Sequence, residues 1–137
     1  MSAGAGAGAG AVVLDSEALS LLLRDDRAMT ARIEAARIHR VPVVACAMTL
    51  IEADDHRVHP ARIGWVLSRL QVVAVDEGAA GLASSLLREA GLHGHKYAID
   101  AAVAATARTL PGPVVVLTSD PEDLALLCGP GVRIVKV

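Results

Sequence analysis

Aromatic residues are almost absent from this chain of 137 residues, which contains one Trp, one Tyr and no Phe. Modules that bind single-stranded nucleic acids by base stacking, such as RNA-recognition motifs and OB-folds, need aromatic platforms. The scarcity of aromatics argues against such modules. Because hydrophobic residues still make up 53% of the sequence, the core must be aliphatic and rich in alanine.

An excess of basic charge and long apolar runs are also lacking. The net charge is −2, so no overall positive field indicates a polyanionic ligand. Asp15 interrupts the first apolar run too early for a membrane span, and no Lys or Arg precedes Arg24, as a signal peptide would require. Cys46 and Cys128 lack CxxC spacing and fit small buried residues in a reducing compartment. We therefore expect a cytoplasmic protein without a membrane segment.

The chain begins with a low-complexity segment that reads SAGAGAGAG after the first Met. A glycine-rich phosphate loop would have to follow a strand and open a helix, whereas these glycines precede the first apolar run. We predict that residues 1–10 form a disordered Gly/Ala tail and that residues 11–137 form a single domain.

Short apolar runs of strand length alternate with segments of helical period in the rest of the chain. This alternation is typical of an α/β fold, a three-layer α/β/α sandwich with a central parallel sheet. The predicted strands are Ala11–Leu14, Val43–Ala45, Gln71–Val75, Val114–Leu117 and Val132–Val135. The predicted helices are Ser16–Leu23, Arg27–Arg40, one from an N-cap at Thr49 through Asp55, Pro60–Leu70, Glu77–Ala90, Lys96–Thr109 and a short one beginning near Pro121.

Carboxylates lie at the ends of two of these strands. Asp15 directly follows AVVL, and Asp120 comes shortly after VVVL. Ligands of open α/β sheets bind beyond the carboxyl ends of the strands, which favours a functional site there. Each acid has a structural alternative, because Asp15 could cap the first helix, and Ser119 or Asp120 could cap the helix that begins at Pro121.

Asp100 is the only charged residue in the segment YAIDAAVAATA, whose apolar character on every side predicts a buried helix. A buried carboxylate without a partner is costly, so this position favours a carboxylate that faces a cation. The structural alternative is an ion pair with Lys96, one helical turn away. Glu52 is a fourth candidate that could point toward the strand ends, while Asp54 and Asp55 are expected to face water.

Carboxylates without a nearby His or Cys cluster select a hard cation, magnesium or manganese. Several carboxylates around such ions are suited to hydrolysis of a phosphodiester, because the metal neutralises the phosphate and activates a water. A bound metal would also let an acidic protein hold a polyanion.

Four segments, VVLDSEALSLLL, AMTLIEA, HKYAIDAAVAATA and VVLTSDPEDL, together resemble the PIN-domain ribonucleases, most closely the VapC-type toxins of bacterial toxin–antitoxin systems. The resemblance covers about residues 11–137. It implies a Mg²⁺- or Mn²⁺-dependent endoribonuclease that leaves a 3′-hydroxyl and a 5′-phosphate, a homodimer, and inhibition by a cognate antitoxin. The matched positions are Asp15, Glu52, Asp100 and Asp120 as catalytic metal ligands, Thr118 as the hydroxyl beside the last acid, and Asp123 as a less regular fifth acid.

The first acid is followed by a departure from the family pattern, because Glu17 stands where a Ser or Thr is common. Either Glu17 is an additional acid near the metal, or Ser16 takes the hydroxyl role. His93 and His95 precede the Asp100 helix and are candidate phosphate contacts, although loop histidines are usually solvated. The basic residues that we select as RNA backbone contacts are Arg24, Arg27, Arg57 and Lys96.

Two other functions fit parts of the pattern. A HAD-type phosphatase also places acids after its first strand, but Glu17 replaces its second Asp and no convincing catalytic lysine precedes the last acidic motif. A PIN-like module that binds RNA or protein without cleavage would share the fold. Four retained acids argue against that module, because crowded carboxylates bring nothing to simple binding.

Overall fold

The computed structural model describes residues 10–137. The predicted tail therefore lies outside the described residues except for Gly10, whose backbone N–H donates to the Pro113 carbonyl. Within residues 10–137, no helix has the length and apolar character needed to cross a membrane.

Five parallel strands form one central sheet in the order β3-β2-β1-β4-β5. β1 is at its centre, with β2 on one side and β4 on the other. The strands are β1 (Ala11–Leu14), β2 (Val43–Cys46), β3 (Gln71–Val73), β4 (Val114–Thr118) and β5 (Arg133–Lys136).

Seven helices connect and cover these strands among the described residues. They are α1 (Ser16–Leu23), α2 (Arg27–Ile38), α3 (Ala47–Ala53), α4 (Pro60–Ser68), α5 (Glu77–Ala90), α6 (Gly94–Thr109) and α7 (Pro121–Cys128). Side chains alternate between the faces of a strand, so Val13 and Val116 belong to the core beneath α5, α6 and α7. Leu14 and Leu117 belong to the core on the opposite face, beneath α1, α2 and α4. The predicted three-layer α/β/α sandwich with a parallel sheet is confirmed.

Helix α6 reaches close to the sheet because its buried face is built from small residues. Ala101, Ala104 and Ala105 are almost completely buried within it. Near its N-terminus the helix has a kink at Tyr97, where φ is −113° and ψ is 17°. The buried alanine segment starts directly after Asp100, which therefore lies at the border between the core and the surface.

Several predicted element ends differ from the structure. The prediction that Thr49 caps α3 is wrong: α3 follows β2 directly, and the Thr49 hydroxyl donates to the Cys46 carbonyl from inside the helix (2.6 Å). α2 ends at Ile38 because Arg40 adopts a left-handed backbone with φ of 57°. The edge strand β3 stops at Val73, two residues early, while α6 begins two residues early and β5 is displaced by one residue.

Candidate active site

The site lies where the strand order reverses. The chain leaves β1 toward β2 on one side and returns to pair β4 on the other side, so the carboxyl ends of β1 and β4 bound a crevice. Such a crossover point is the usual ligand site of an open parallel sheet. Asp15 follows β1, and Ser119 and Asp120 follow β4, so the predicted strand-end acids lie at this crevice.

Asp15 is buried and accepts two backbone hydrogen bonds. Its Oδ1 accepts from the Ala18 N–H at 2.8 Å, which caps α1, and its Oδ2 accepts from the Ser119 N–H at 3.2 Å. The structural alternative that Asp15 caps the first helix is therefore correct, and it is the Oδ1 atom that makes the capping bond. It does not exclude a functional role, because an ionised carboxylate has about four lone-pair sites and these two bonds leave others available.

Asp100 lies half-buried on α6, close to the other acids. Burial, as the larger cause, and the negative charges of nearby acids together raise the pKa of its carboxyl to about 6; these acids are Asp120, Asp123, Asp15 and Glu52. The part of this shift that comes from like charges requires the other carboxylates to lie near Asp100, while the larger part comes from its burial.

The structural alternative for Asp100 does not occur in the part of the chain that the structure describes. No ion pair joins Asp100 to Lys96 there, and the Lys96 Nζ instead lies 5.2 Å from the centre of the Tyr97 ring. The carboxylate therefore has acidic neighbours instead of a compensating cation.

The four predicted acids line one cavity of about 250 Å³. Asp15 forms its buried wall, while Glu52 and Asp120 are exposed at its rim. Asp120 occupies the N-cap position of α7, but its side chain makes no capping hydrogen bond. The structural alternative that Asp120 serves as a helix cap is therefore wrong. The complete lining is Asp15, Ser16, Glu17, Ser20, Glu52, Asp100, Ser119 and Asp120.

The supporting residues lie around this cavity. Thr118 is fully buried, and its Oγ1 accepts the Asp120 N–H at 2.9 Å, which fixes the turn that carries the last acid. Asp123 does not line the cavity, although its charge acts on Asp100. Ser20 was not predicted. It lies one helical turn after Ser16 on α1, and that spacing is the signal that could have revealed it.

Glu17 and Ser16 differ in how they meet the site. Glu17 lines the cavity, but its Oε1 is paired with the Arg24 Nη2 at 3.1 Å. The Ser16 Oγ is buried and has no hydrogen-bond partner within residues 10–137. A buried hydroxyl without a partner beside four carboxylates calls for a ligand, because such a group otherwise loses its hydration without compensation.

The donor set fits a hard cation. Carboxylates and hydroxyls line the cavity, and no basic, His or Cys side chain does so among the described residues. As they stand, no three Asp, Glu, His or Cys side chains within residues 10–137 are grouped closely enough to hold a metal ion. The chemistry of the donors therefore fits magnesium or manganese, and the side chains must move closer to coordinate it.

Other candidate residues have structural roles outside the cavity. Asp55 forms a two-pronged ion pair with Arg57, whose hydrogen bonds hold the pKa of the aspartate at about 2. Asp54 is exposed, as predicted. The His93 ring accepts the His95 N–H at the start of α6, so His93 is the N-cap of that helix (3.2 Å).

No protein-family model matches the sequence, and no curated protein matches it. Solved structures do match its fold. VapBC2 from Rickettsia felis, bound to a DNA fragment from its promoter, has a TM-score of 0.65 at 12% identity over 92% of this chain and 98% of that one. FitAB bound to an IR36 DNA fragment has a TM-score of 0.68 at 19% identity, over 91% of this chain and 94% of that one. FitAcB from Neisseria gonorrhoeae has a TM-score of 0.58 at 19% identity, over 90% of this chain and 95% of that one. At these identities the likeness shows that the chain shares the fold of these proteins.

Proposed function

We propose that the chain is a metal-dependent endoribonuclease of the PIN type. The observation that carries the proposal is the convergence of Asp15, Glu52, Asp100 and Asp120 on one cavity at the strand crossover. Burial and, after it, the charges of the neighbouring acids raise the pKa of Asp100 to about 6, and the second cause supports that convergence. Acids crowded together without cations oppose folding, so their placement is best explained by a bound cation and its reaction.

Asp15, Glu52, Asp100 and Asp120 would hold Mg²⁺ or Mn²⁺. When bound, the ion would supply positive charge for the phosphate and acidity for an attacking water. Asp15 is fixed by its two backbone hydrogen bonds, so its free lone pairs point from a rigid position. The hydroxyls of Ser16, Ser20 and Ser119 supply donors for phosphate oxygens at the cavity wall. Hydrolysis would leave a 3′-hydroxyl and a 5′-phosphate.

The two other functions have weaker support. For a HAD-type phosphatase, Glu17 would have to act as the second acid, yet it is paired with Arg24. Such a phosphatase also needs a catalytic lysine. Lys96, the lysine nearest to Asp100 in the sequence, lies over the Tyr97 ring instead. A non-catalytic module would have no use for the unpaired carboxylate of Asp100.

The likeness in fold to VapBC2 and FitAB supports a toxin role in a type II toxin–antitoxin pair in the cytoplasm. A cognate antitoxin and a second copy of the chain are then the expected partners. Co-expression with the neighbouring reading frame should give a stable complex, and sedimentation of the purified chain should give a dimer. A clean monomer at micromolar concentration would contradict the homodimer.

Cleavage of single-stranded RNA by the purified chain tests the activity directly. RNA should be cut with Mg²⁺ or Mn²⁺ and left intact with EDTA. Asp100→Asn should lose activity by orders of magnitude, whereas Asp54→Asn, exposed and outside the cavity, should match the parent. Equal cleavage in EDTA would refute the metal mechanism. Burst hydrolysis of an aryl phosphate would indicate the phosphatase, and RNA binding without cleavage would indicate the module.

A further inference from the structure

A second, larger groove continues from the acidic cavity across the surface. It has a volume of about 720 Å³ and is bounded by residues of α1, α2 and the end of β5. Glu17 and Ser119 line both this groove and the acidic cavity, so the two spaces adjoin. An RNA strand with one phosphate in the small cavity must pass over a neighbouring surface, and this groove is directly beside it.

The groove carries two basic residues, Arg32 on α2 and Lys136 on β5. Both are exposed, and neither forms an ion pair with an acid among residues 10–137. The two acids of the groove are already engaged. Glu17 is paired with Arg24 at 3.1 Å, and the Asp26 Oδ2 accepts the Met29 N–H at 2.9 Å as the cap of α2. Within residues 10–137 the side chains of Arg32 and Lys136 are thus not held in ion pairs, and both lie in the groove beside the acidic cavity.

A groove of about 520 Å³ at the C-terminal end of α1 has more arginines, but none of them is free of an ion pair. Each of its three arginines is paired with an acid in the structure. The pairs are Arg24 with Glu17, Arg57 with Asp55 and Arg62 with Asp25. A phosphate would have to compete with these carboxylates, so we do not expect the RNA strand to follow this side. Arg24 and Arg57 are two of the four basic residues that we select from the sequence as RNA contacts, and their pairing with acids argues against those two.

We propose that Arg32 and Lys136 bind the phosphates next to the scissile one and so position single-stranded RNA along this groove. The inference rests on the proposed ribonuclease function. Both side chains donate to phosphate oxygens, and the guanidinium of Arg32 can do so with two parallel hydrogen bonds. These contacts position the strand and do not select its sequence, because phosphates are the same at every nucleotide.

The salt dependence of binding tests the number of phosphate contacts. The probe is a labelled, short, single-stranded oligoribonucleotide of randomised sequence, followed by fluorescence anisotropy in EDTA over a series of KCl concentrations. Each phosphate contact to a single strand contributes about 0.7 to the slope of log affinity on log salt. The double variant Arg32→Gln/Lys136→Gln should therefore have a slope smaller by about 1.4. The control Arg88→Gln/Arg133→Gln removes the same charge from exposed residues outside the groove and should keep the slope of the parent.

Steady-state cleavage in Mg²⁺ separates this inference from the function on which it rests. The groove variant should raise KM about tenfold with kcat nearly unchanged, because lost ground-state binding acts on KM. If the parent cleaves RNA while KM and salt slope stay unchanged in the groove variant, the groove is refuted and the nuclease stands. If RNA binds with the expected slope change but is never cut, the nuclease is refuted and the groove stands. Equal slope losses in the groove and control variants, or no RNA binding, would refute the groove.

Discussion

One carboxylate oxygen of Asp15 links two distant parts of the chain, because this Oδ2 accepts the N–H of Ser119, 104 positions further along (3.2 Å). The other oxygen caps α1. The same side chain therefore positions both strand ends that bound the acidic cavity. Its replacement should disturb the fold as well as the site.

Asp15→Ala should lower the free energy of unfolding by about 2 kcal/mol, since a helix cap and a buried acceptor are both lost. Asp26→Ala is the matched control, because Asp26 caps α2 through a single bond to Met29 and should cost about 1 kcal/mol. Urea unfolding in EDTA and high KCl measures both, since salt screens the repulsion that Asp15 exerts on Asp100. A smaller loss for Asp15→Ala than for Asp26→Ala would contradict the dual role.

Arg62 ties α4 to the end of α1 through its Nη2, which donates to the Leu22 carbonyl at 3.0 Å. This carbonyl belongs to the last turn of α1, where it also accepts the Asp25 N–H at 3.1 Å. Arg62→Gln should lower the free energy of unfolding by about 1 kcal/mol. Arg57→Gln should leave it nearly unchanged, because Arg57 forms only an exposed ion pair with Asp55, which water and salt screen. Similar losses in the two variants would show that the Leu22 bond contributes nothing.

The layers of the fold were predictable because the strands are short apolar runs and the helices have clear ends. The error at Thr49 has a physical cause. Thr favours N-caps, but its hydroxyl can also bond a carbonyl one turn back, as it does with Cys46. The early end of α2 depends on a left-handed Arg40, which nothing in the local pattern signals.

The four acids were predictable individually, and Asp100 most clearly, because one charge in an apolar helix needs an explanation. Their shared cavity depends on the strand order, and a sequence does not state which strands are neighbours. The pairing of Arg24 and Arg57 with nearby acids was also not visible, since it depends on side-chain positions. The groove of Arg32 and Lys136 brings together two residues that are far apart in the sequence, which the sequence pattern does not reveal.

Magnesium should stabilise the parent protein by binding to the folded state alone. At a concentration about ten times the dissociation constant, the gain in free energy of unfolding is about 1.4 kcal/mol. Asp100→Asn should lose most of this increment, whereas Asp55→Asn should keep it, because Asp55 is paired with Arg57 outside the cavity. Melting curves of the parent and the two variants with and without Mg²⁺ measure this stabilisation. An equal shift in Asp100→Asn would show that the ion binds elsewhere.

The raised pKa of Asp100 predicts a pH-dependent penalty in the metal-free protein. The ordinary pKa of 3.8 applies to the unfolded chain, and the value is about 6 when folded. Below the lower value the carboxyl is protonated in both states. As pH rises through the folded value, the folded protein must release a proton that it held more tightly, so stability is lost.

Asp100→Asn cannot titrate and should escape this loss. The difference in free energy of unfolding between variant and parent should grow by about 1 kcal/mol from about pH 4 to about pH 7, because solvent screens part of the effect at a half-buried carboxyl. Urea unfolding in EDTA at both pH values measures it, with Asp54→Asn as the exposed control. If the variant and the parent differ by the same amount at both pH values, the pKa of Asp100 is not raised by its burial and its acidic neighbours in the folded protein.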